Sequence, residues 1–169
     1  LLRLFHFTSG KGKNVIFTPN ITTSLNILLK GLLKPGDHVL VSAMEHNAVM
    51  RPLVQLTQNG ITFDRIPCRT DGSLLIEKAD ELVRPETRLL VCLHASNVCG
   101  TIMPVQKLSD FCQKHGLLFI LDTAQTAGVV PIDMEVLHID ALAFTGHKSL
   151  RGPQGTGGFL LRNKLVSSI

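Results

Sequence analysis

The sequence lacks tryptophan and tyrosine altogether, and aromatic residues make up only 5% of its 169 residues. No run of basic residues is interleaved with aromatic ones, so nucleic-acid binding has little support although Lys and Arg exceed Asp and Glu by 17 to 13. The net charge of +4 suits a site for a small anionic ligand, but an ordinary solvated surface explains it equally well.

Long apolar runs are also absent: Leu117 to Leu121 is far too short to span a bilayer, so we expect no membrane association. The four cysteines form no C-x-x-C pair and no signal peptide is visible, which together predict a cytoplasmic protein without a disulfide framework. There is no HExxH motif, and Cys92, His94 and Cys99 lack a regular ligand spacing, so we expect no metal site.

Short apolar, β-branched runs alternate with longer periodic ones, which is typical of an α/β fold on a largely parallel sheet. The clearest helices are predicted at 22–33, which stops before Pro35-Gly36, and at 104–115, which stops at Gly116. We found no internal repeat or linker. Seven strands are predicted, at 15–18, 38–42, 62–67, 88–94, 117–122, 140–144 and 158–162.

The two ends of the sequence do not have the usual signals of a domain boundary. Residues 1–5 are apolar at helical spacing with no cap before them, and residues 164–169 follow directly on a predicted strand. We therefore expect residues 1–169 to be one domain that is truncated at both ends.

Polar residues lie just beyond several predicted strands, at the sheet edge where parallel α/β folds bind ligands. Thr22 and Thr23 open the first helix, where free backbone N–H groups and two hydroxyls favour an anion, although one threonine could simply cap the helix. His46 follows the second strand and could offer a flat ring to a bound ring, but an ordinary surface histidine is the alternative.

The later strands end in groups that hydrogen bond or carry charge. Asn97 follows the fourth strand, and Asp122 ends the fifth with Gln125 three residues on. A carboxylate at this point caps the next helix or pairs with a protonated ring nitrogen.

Lys148 lies in the segment Thr145-Gly146-His147-Lys148 after the sixth strand. A partly desolvated lysine at a strand end is a candidate for Schiff-base chemistry, and an exposed loop lysine is the alternative. The glycines of Gly155-Thr156-Gly157-Gly158 lack the ending of a nucleotide phosphate loop, so we interpret them as a tight turn.

The strand ends thus carry a fixed order of chemical groups along the chain: hydroxyls, a ring, an amide, a carboxylate with an amide, and a lysine. This order resembles the large domain of fold-type I pyridoxal-phosphate (PLP) enzymes, a three-layer αβα fold, and specifically the class V aminotransferase family that includes cysteine desulfurases and selenocysteine lyases. The resemblance covers nearly all of the chain. Its motifs are Thr22-Thr23-Ser24-Leu25-Asn26, Met44-Glu45-His46-Asn47-Ala48, His94-Ala95-Ser96-Asn97-Val98-Cys99-Gly100-Thr101, Leu121-Asp122-Thr123-Ala124-Gln125 and Thr145-Gly146-His147-Lys148.

The resemblance implies a role for each of these residues toward PLP. Lys148 would form a Schiff base with the cofactor aldehyde and later move the proton at the substrate Cα, Asp122 would pair with the ring nitrogen, and His46 would stack on the ring. The remaining contacts would hold the ring oxygen and substrate side (Asn97 and Gln125) and the phosphate (Thr22, Thr23, Thr145 and His147).

The resemblance also implies an activity and partners. We expect a homodimeric enzyme that removes sulfur or selenium from a cysteine-type amino acid and passes it to a possible sulfur-acceptor protein. A class V transaminase or another PLP carbon-heteroatom lyase is the alternative, and a nucleotide-binding module without activity is a third hypothesis.

The sequence departs from the family pattern in two respects. Ser24 stands where desulfurases usually have Glu, and the small domain, the persulfide-forming cysteine and the substrate-binding arginine of the family lie beyond the lysine segment, so we expect this chain alone to be inactive. Cys99 occupies no nucleophile position of the family, and we expect it to be a packed thiol.

Overall fold

The computed structural model describes residues 1–169 as a sheet with helices on both faces. Its strands lie in the order β1-β7-β6-β5-β4-β2-β3. Their bounds are β1 Val15–Thr18, β2 His38–Ser42, β3 Thr62–Ile66, β4 Thr87–Leu93, β5 Leu118–Asp122, β6 Ala141–Thr145 and β7 Gly157–Leu161. Each predicted strand is confirmed, with bounds that shift by at most one residue.

The sheet is mostly parallel, as the alternating pattern predicted. The central strands β2 to β6 pair in parallel, and β7 is antiparallel to both β6 and β1. From β2 the chain moves to one side to form β3, and from β4 it moves to the other side to form β5 and β6. The direction of winding therefore reverses between β2 and β4, which is where open α/β sheets commonly bind ligands.

Two apolar cores lie on opposite faces of the sheet, because alternate strand residues point to opposite sides. One core joins α1 and α2 to strand residues such as Val41 and Val91, and the other joins α3 to Leu90 and Leu121. The predicted three-layer αβα architecture is confirmed. The helices are α1 Ile21–Leu32, α2 Asn47–Thr57 and α3 Val105–His115, with short 3-10 helices at Gly12–Asn14, Ile76–Lys78, Asp80–Leu82 and Asn163–Ser168.

Local chemistry explains where the helices begin and end. The helix α1 begins one residue before the predicted start, because Asn20 rather than a threonine caps it, and α3 ends at Gly116, whose φ of +65° is left-handed as predicted. Residues 2–6 form turns and not the helix that their apolar spacing favours, and His6, the last of them, takes a positive φ. None of the helices is long and apolar enough to cross a membrane.

Candidate active site

A cleft of about 120 Å³ opens at the carboxyl ends of β4, β5 and β6, beside the start of α1. Eight of the nine predicted site residues line it, although up to 126 positions separate them in the sequence. The eight are Thr22, His46, Asn97, Asp122, Gln125, Thr145, His147 and Lys148, and Asn20, Ile21, Leu93, Ala95 and Ala124 complete the lining.

Asp122 forms the floor of the cleft at the end of β5. It is only 4% exposed, and its Oδ1 accepts a hydrogen bond from the Ala124 N–H at 2.8 Å. It makes no ion pair within the chain. Burial raises the pKa of Asp122, and the Ala124 N–H and the nearby His46 and Lys148 side chains act in the opposite direction. A further cation placed in the cleft would therefore meet a buried carboxylate that has no paired charge.

His46 caps helix α2 with its side chain. The ring Nδ1 accepts a hydrogen bond from the Ala48 N–H at 3.0 Å. Because Nδ1 acts as the acceptor, the proton of the neutral ring lies on Nε2. The cap fixes the ring orientation, and the exposed His46 side chain lines the cleft.

Lys148 lies in the turn that follows β6, next to His147, and both side chains are exposed. The buried Thr145 at the end of β6 has its hydroxyl 3.2 Å from His147 Nδ1. The turn is held closed by hydrogen bonds from Gly146 N–H to the Thr156 carbonyl at 2.8 Å and from Gly152 N–H to the Gly146 carbonyl at 2.7 Å. Lys148 thus lines the cleft from a short closed loop.

The start of α1 supplies the anion-binding end of the cleft. The backbone N–H groups of Ile21 and Thr22 have no acceptor within the chain, whereas the Thr23 N–H is capped by Asn20 Oδ1 at 2.9 Å. Free amides at a helix N-terminus favour a phosphate or carboxylate.

Thr23 is the one predicted site residue that does not line the cleft. Its hydroxyl donates to Asn20 Oδ1 at 3.2 Å, so it supports the cap instead of facing the cleft. Asn20 was missed as a site residue, although an asparagine before the first apolar residue of a helix is a recognisable capping signal.

Two further sequence interpretations need correction. Cys99 is exposed and not packed, with Sγ 3.2 Å from the Thr101 hydroxyl. Hydrogen bonds from Ser96 and Thr101 lower the pKa of Cys99 to about 7. The predicted glycine turn is confined to Gln154 and Gly155, since Gly157 and Gly158 belong to β7.

Comparison with known proteins identifies the family. Residues 5–169 match the aminotransferase class-V family model. The cysteine desulfurase IscS of Shewanella denitrificans is 31% identical over 156 residues, which cover 90% of this chain and 38% of that protein. The chain therefore spans about two-fifths of the length of the curated relatives that it matches.

Solved structures of related enzymes also have a similar fold over nearly the whole chain. The apo structure of a cysteine desulfurase from Thermococcus onnurineus NA1 superposes with a TM-score of 0.90 at 29% identity, covering 99% of this chain and 42% of that one. A lysine-to-alanine variant of C-DES, with glycine covalently linked to its PLP cofactor, superposes with a TM-score of 0.88 at 27% identity, covering 99% of this chain and 45% of that one.

Proposed function

The chain belongs to the aminotransferase class-V family, and we propose that the protein is a PLP-dependent enzyme that removes sulfur or selenium from a cysteine-type amino acid. The observation that carries this proposal is the meeting of Lys148, Asp122 and His46 in one cleft. The desulfurase relatives support the choice of substrate class, and residues 1–169 would form the cofactor-binding part of the enzyme.

The donor set of the cleft fits PLP at each end. Asp122 offers an unpaired buried carboxylate to a protonated ring nitrogen, and His46 offers a flat ring whose orientation is fixed. The phosphate would accept hydrogen bonds from the free amides of Ile21 and Thr22, with the hydroxyls of Thr22 and Thr145 and the ring of His147 nearby. Thr23 would support this end through the Asn20 cap.

Four residues of the cleft would each have a separate role in the reaction. When bound, PLP supplies an electron sink for the negative charge that develops at the substrate Cα. Asp122 would keep a proton on the ring nitrogen, Asn97 and Gln125 would hold the ring oxygen and the substrate side by hydrogen bonds, and Lys148 would carry the cofactor and then move the proton at the substrate Cα.

Incubation of the full-length protein with L-cysteine and a reductant tests this function. We expect sulfide release that depends on added PLP. Amino transfer to a 2-oxo acid without sulfide would instead favour a class V transaminase. A colourless protein that nucleotide protects from heat, and that PLP does not protect, would favour the nucleotide-binding module.

We also propose that the enzyme is a cytoplasmic homodimer with a sulfur-acceptor protein as a possible partner. The family resemblance supports the dimer, because members of the family complete the phosphate site with residues from the other subunit. A monomer at micromolar concentration with full PLP occupancy, measured by sedimentation and absorbance, would contradict it.

A further inference from the structure

A second carboxyl group lies next to the cleft without lining it. Glu45 precedes His46, and its Oε1 accepts hydrogen bonds from the Ser42 hydroxyl at 2.5 Å and from the Leu93 N–H at 2.8 Å. Glu45 is partly exposed as a residue, yet its other oxygen, Oε2, is buried and has no hydrogen-bond partner. The carboxyl therefore bridges the ends of β2 and β4, at the place where the winding of the sheet reverses.

The Glu45 hydrogen bonds connect two chain segments that border the cleft. Leu93 lines the cleft and lies in register with Asp122 on the adjacent strand. His46, the residue after Glu45, begins α2. The Glu45 hydrogen bonds thus fix the strand end beside Asp122 and the chain segment that presents the His46 ring.

No cation balances Glu45. It takes part in none of the ion pairs of the structure. Around its carboxyl, β2 contributes only the Ser42 hydroxyl, β4 contributes the Cys92 thiol and β5 contributes Asp122. The nearby His46 and Lys148 side chains act on Asp122 instead.

Burial raises the pKa of both carboxyl groups, but they differ in the cations near them. Burial raises the pKa of Glu45 to about 8; the hydrogen bonds from Ser42 and Leu93 oppose this shift, and the charge of Asp122 adds to it. Two buried carboxyl groups that repel each other are most stable when one of them keeps its proton. Lys148 acts on Asp122 and no cation acts on Glu45, so Glu45 is the group that keeps it.

We propose that Glu45 is a positioning residue that works as a neutral carboxylic acid: its hydrogen bonds fix the strand end beside Asp122 and His46, and its retained proton leaves Asp122 as the only carboxylate charge at that end of the cleft. The inference rests on the proposed function, because it assigns Asp122 to the cofactor ring nitrogen. Glu45 itself touches neither cofactor nor substrate.

Two substitutions separate the hydrogen bonds of Glu45 from its proton. Glu45→Ala removes the acceptor for Leu93 and Ser42, and we expect PLP affinity, followed by absorbance at pH 7, to fall roughly tenfold. Glu45→Gln keeps the acceptor and stays neutral, so it should restore the affinity that Glu45→Ala loses. Equal losses in the two variants would show that a charged carboxylate is required and would overturn the proposal.

The proton is tested by thermal unfolding of the same full-length proteins without PLP. Glu45 has a pKa of 4.5 in the unfolded chain and of about 8 in the folded chain. The wild-type protein should therefore lose stability relative to Glu45→Gln as the pH rises from about 5 to 8. Above about pH 8 the difference in stability should be constant. Glu81→Gln is the matched control, since Glu81 is exposed and unpaired. A Glu45→Gln difference that does not change with pH would overturn the neutral carboxyl.

The two measurements also distinguish this inference from the proposed function. If wild-type protein bound no PLP, the proposed function would fail and the role of Glu45 toward the cofactor would fall with it, while the melting difference would still decide its protonation. If PLP bound and sulfide were released, but Glu45→Ala had full affinity, only the positioning role of Glu45 would be overturned.

Discussion

The hydroxyl of Ser149 donates a hydrogen bond to the backbone carbonyl of Gln125. Ser149 follows Lys148 in the turn after β6, and Gln125 lies three residues beyond Asp122 at the end of β5. This bond joins the segment that carries the lysine to the segment that carries the carboxylate. The relative position of the two chemical groups therefore depends on a side chain that touches neither of them.

Ser149→Ala should lower PLP affinity about fivefold, because one hydrogen bond that fixes the Lys148 turn contributes about 1 kcal/mol. Absorbance titration of the full-length protein measures the change. Ser167→Ala is the matched control, since Ser167 is exposed on the last 3-10 helix. Unchanged affinity in Ser149→Ala would show that the Lys148 turn holds its position without this bond.

Lys148 should be the only lysine that carries the cofactor. It is the only lysine that lines the cleft with Asp122, whereas Lys164 is ion-paired with Asp140 at 2.7 Å. Borohydride reduction of the PLP-loaded protein followed by peptide mapping locates the pyridoxyl group. Its recovery on Lys34 or Lys164 would refute the assignment.

Asp122→Asn should leave PLP binding measurable but cut sulfide release by roughly 10²-fold or more, since an amide cannot keep a proton on the ring nitrogen through charge. The variant keeps the side-chain oxygen that accepts the Ala124 N–H, so the fold around the cleft should persist. Circular dichroism serves as the control for folding. Turnover equal to that of wild type would exclude the pairing of Asp122 with the cofactor.

Gly158→Ala should destabilise the protein by about 2–4 kcal/mol, because overpacking against rigid backbone cannot be relieved by side-chain motion. A Cβ at Gly158 would lie 2.4 Å from the Ile16 carbonyl oxygen on the neighbouring strand. Gly12→Ala is the control, since no atom lies within 4 Å of its Cβ position. Urea unfolding of both variants measures the difference, and similar midpoints would contradict this explanation.

Glu135 should stabilise the fold only above acidic pH. Its carboxylate accepts hydrogen bonds from the Ser9 hydroxyl at 2.6 Å and from Arg162 at 2.9 Å. These contacts lower the pKa of Glu135 from 4.5 to about 2, and the hydrogen bond from Ser9 has the largest effect. A carboxylate with a lowered pKa contributes stability above its unfolded value and loses it as the pH falls.

Wild type should therefore exceed Glu135→Gln in unfolding free energy by about 1–2 kcal/mol at pH 7, allowing for solvent screening, and the difference should vanish between pH 5 and pH 2. Chemical denaturation across that range provides the measurement. A difference that stays constant down to pH 2 would mean that the charge of Glu135 is not what stabilises the fold.

The sequence predicted the strands and most of the cleft because those features depend on local patterns. Strand positions follow from short apolar runs, and strand ends in a parallel sheet meet at one edge, which is why Asp122 and Lys148 could be placed together. The helix α2 was not delimited, and its interior Pro52 is a residue that normally argues against a helix.

Other features depend on contacts that no local pattern encodes. The Glu45 carboxyl is held at the end of β4 by a hydrogen bond from the N–H of Leu93, which lies 48 positions away in the sequence. Cys99 was expected to pack because free cysteines are commonly buried, but its loop projects from the sheet with Val98 85% exposed. The position of each residue in the folded chain therefore determines that the Glu45 carboxyl is buried and that Cys99 is exposed.

The pairing of β1 with β7 joins a strand synthesised early to one synthesised late. Val15 pairs with Leu160, and Gly157 packs so closely against Asn20 that a Cβ would lie 2.8 Å from its backbone. A ribosome that adds about 5–20 residues per second makes β1 on the order of 10 s before β7. Throughout that interval β1 is without its only partner strand, so the chain segment that leads into α1 gains its place in the sheet only after β7 has been synthesised.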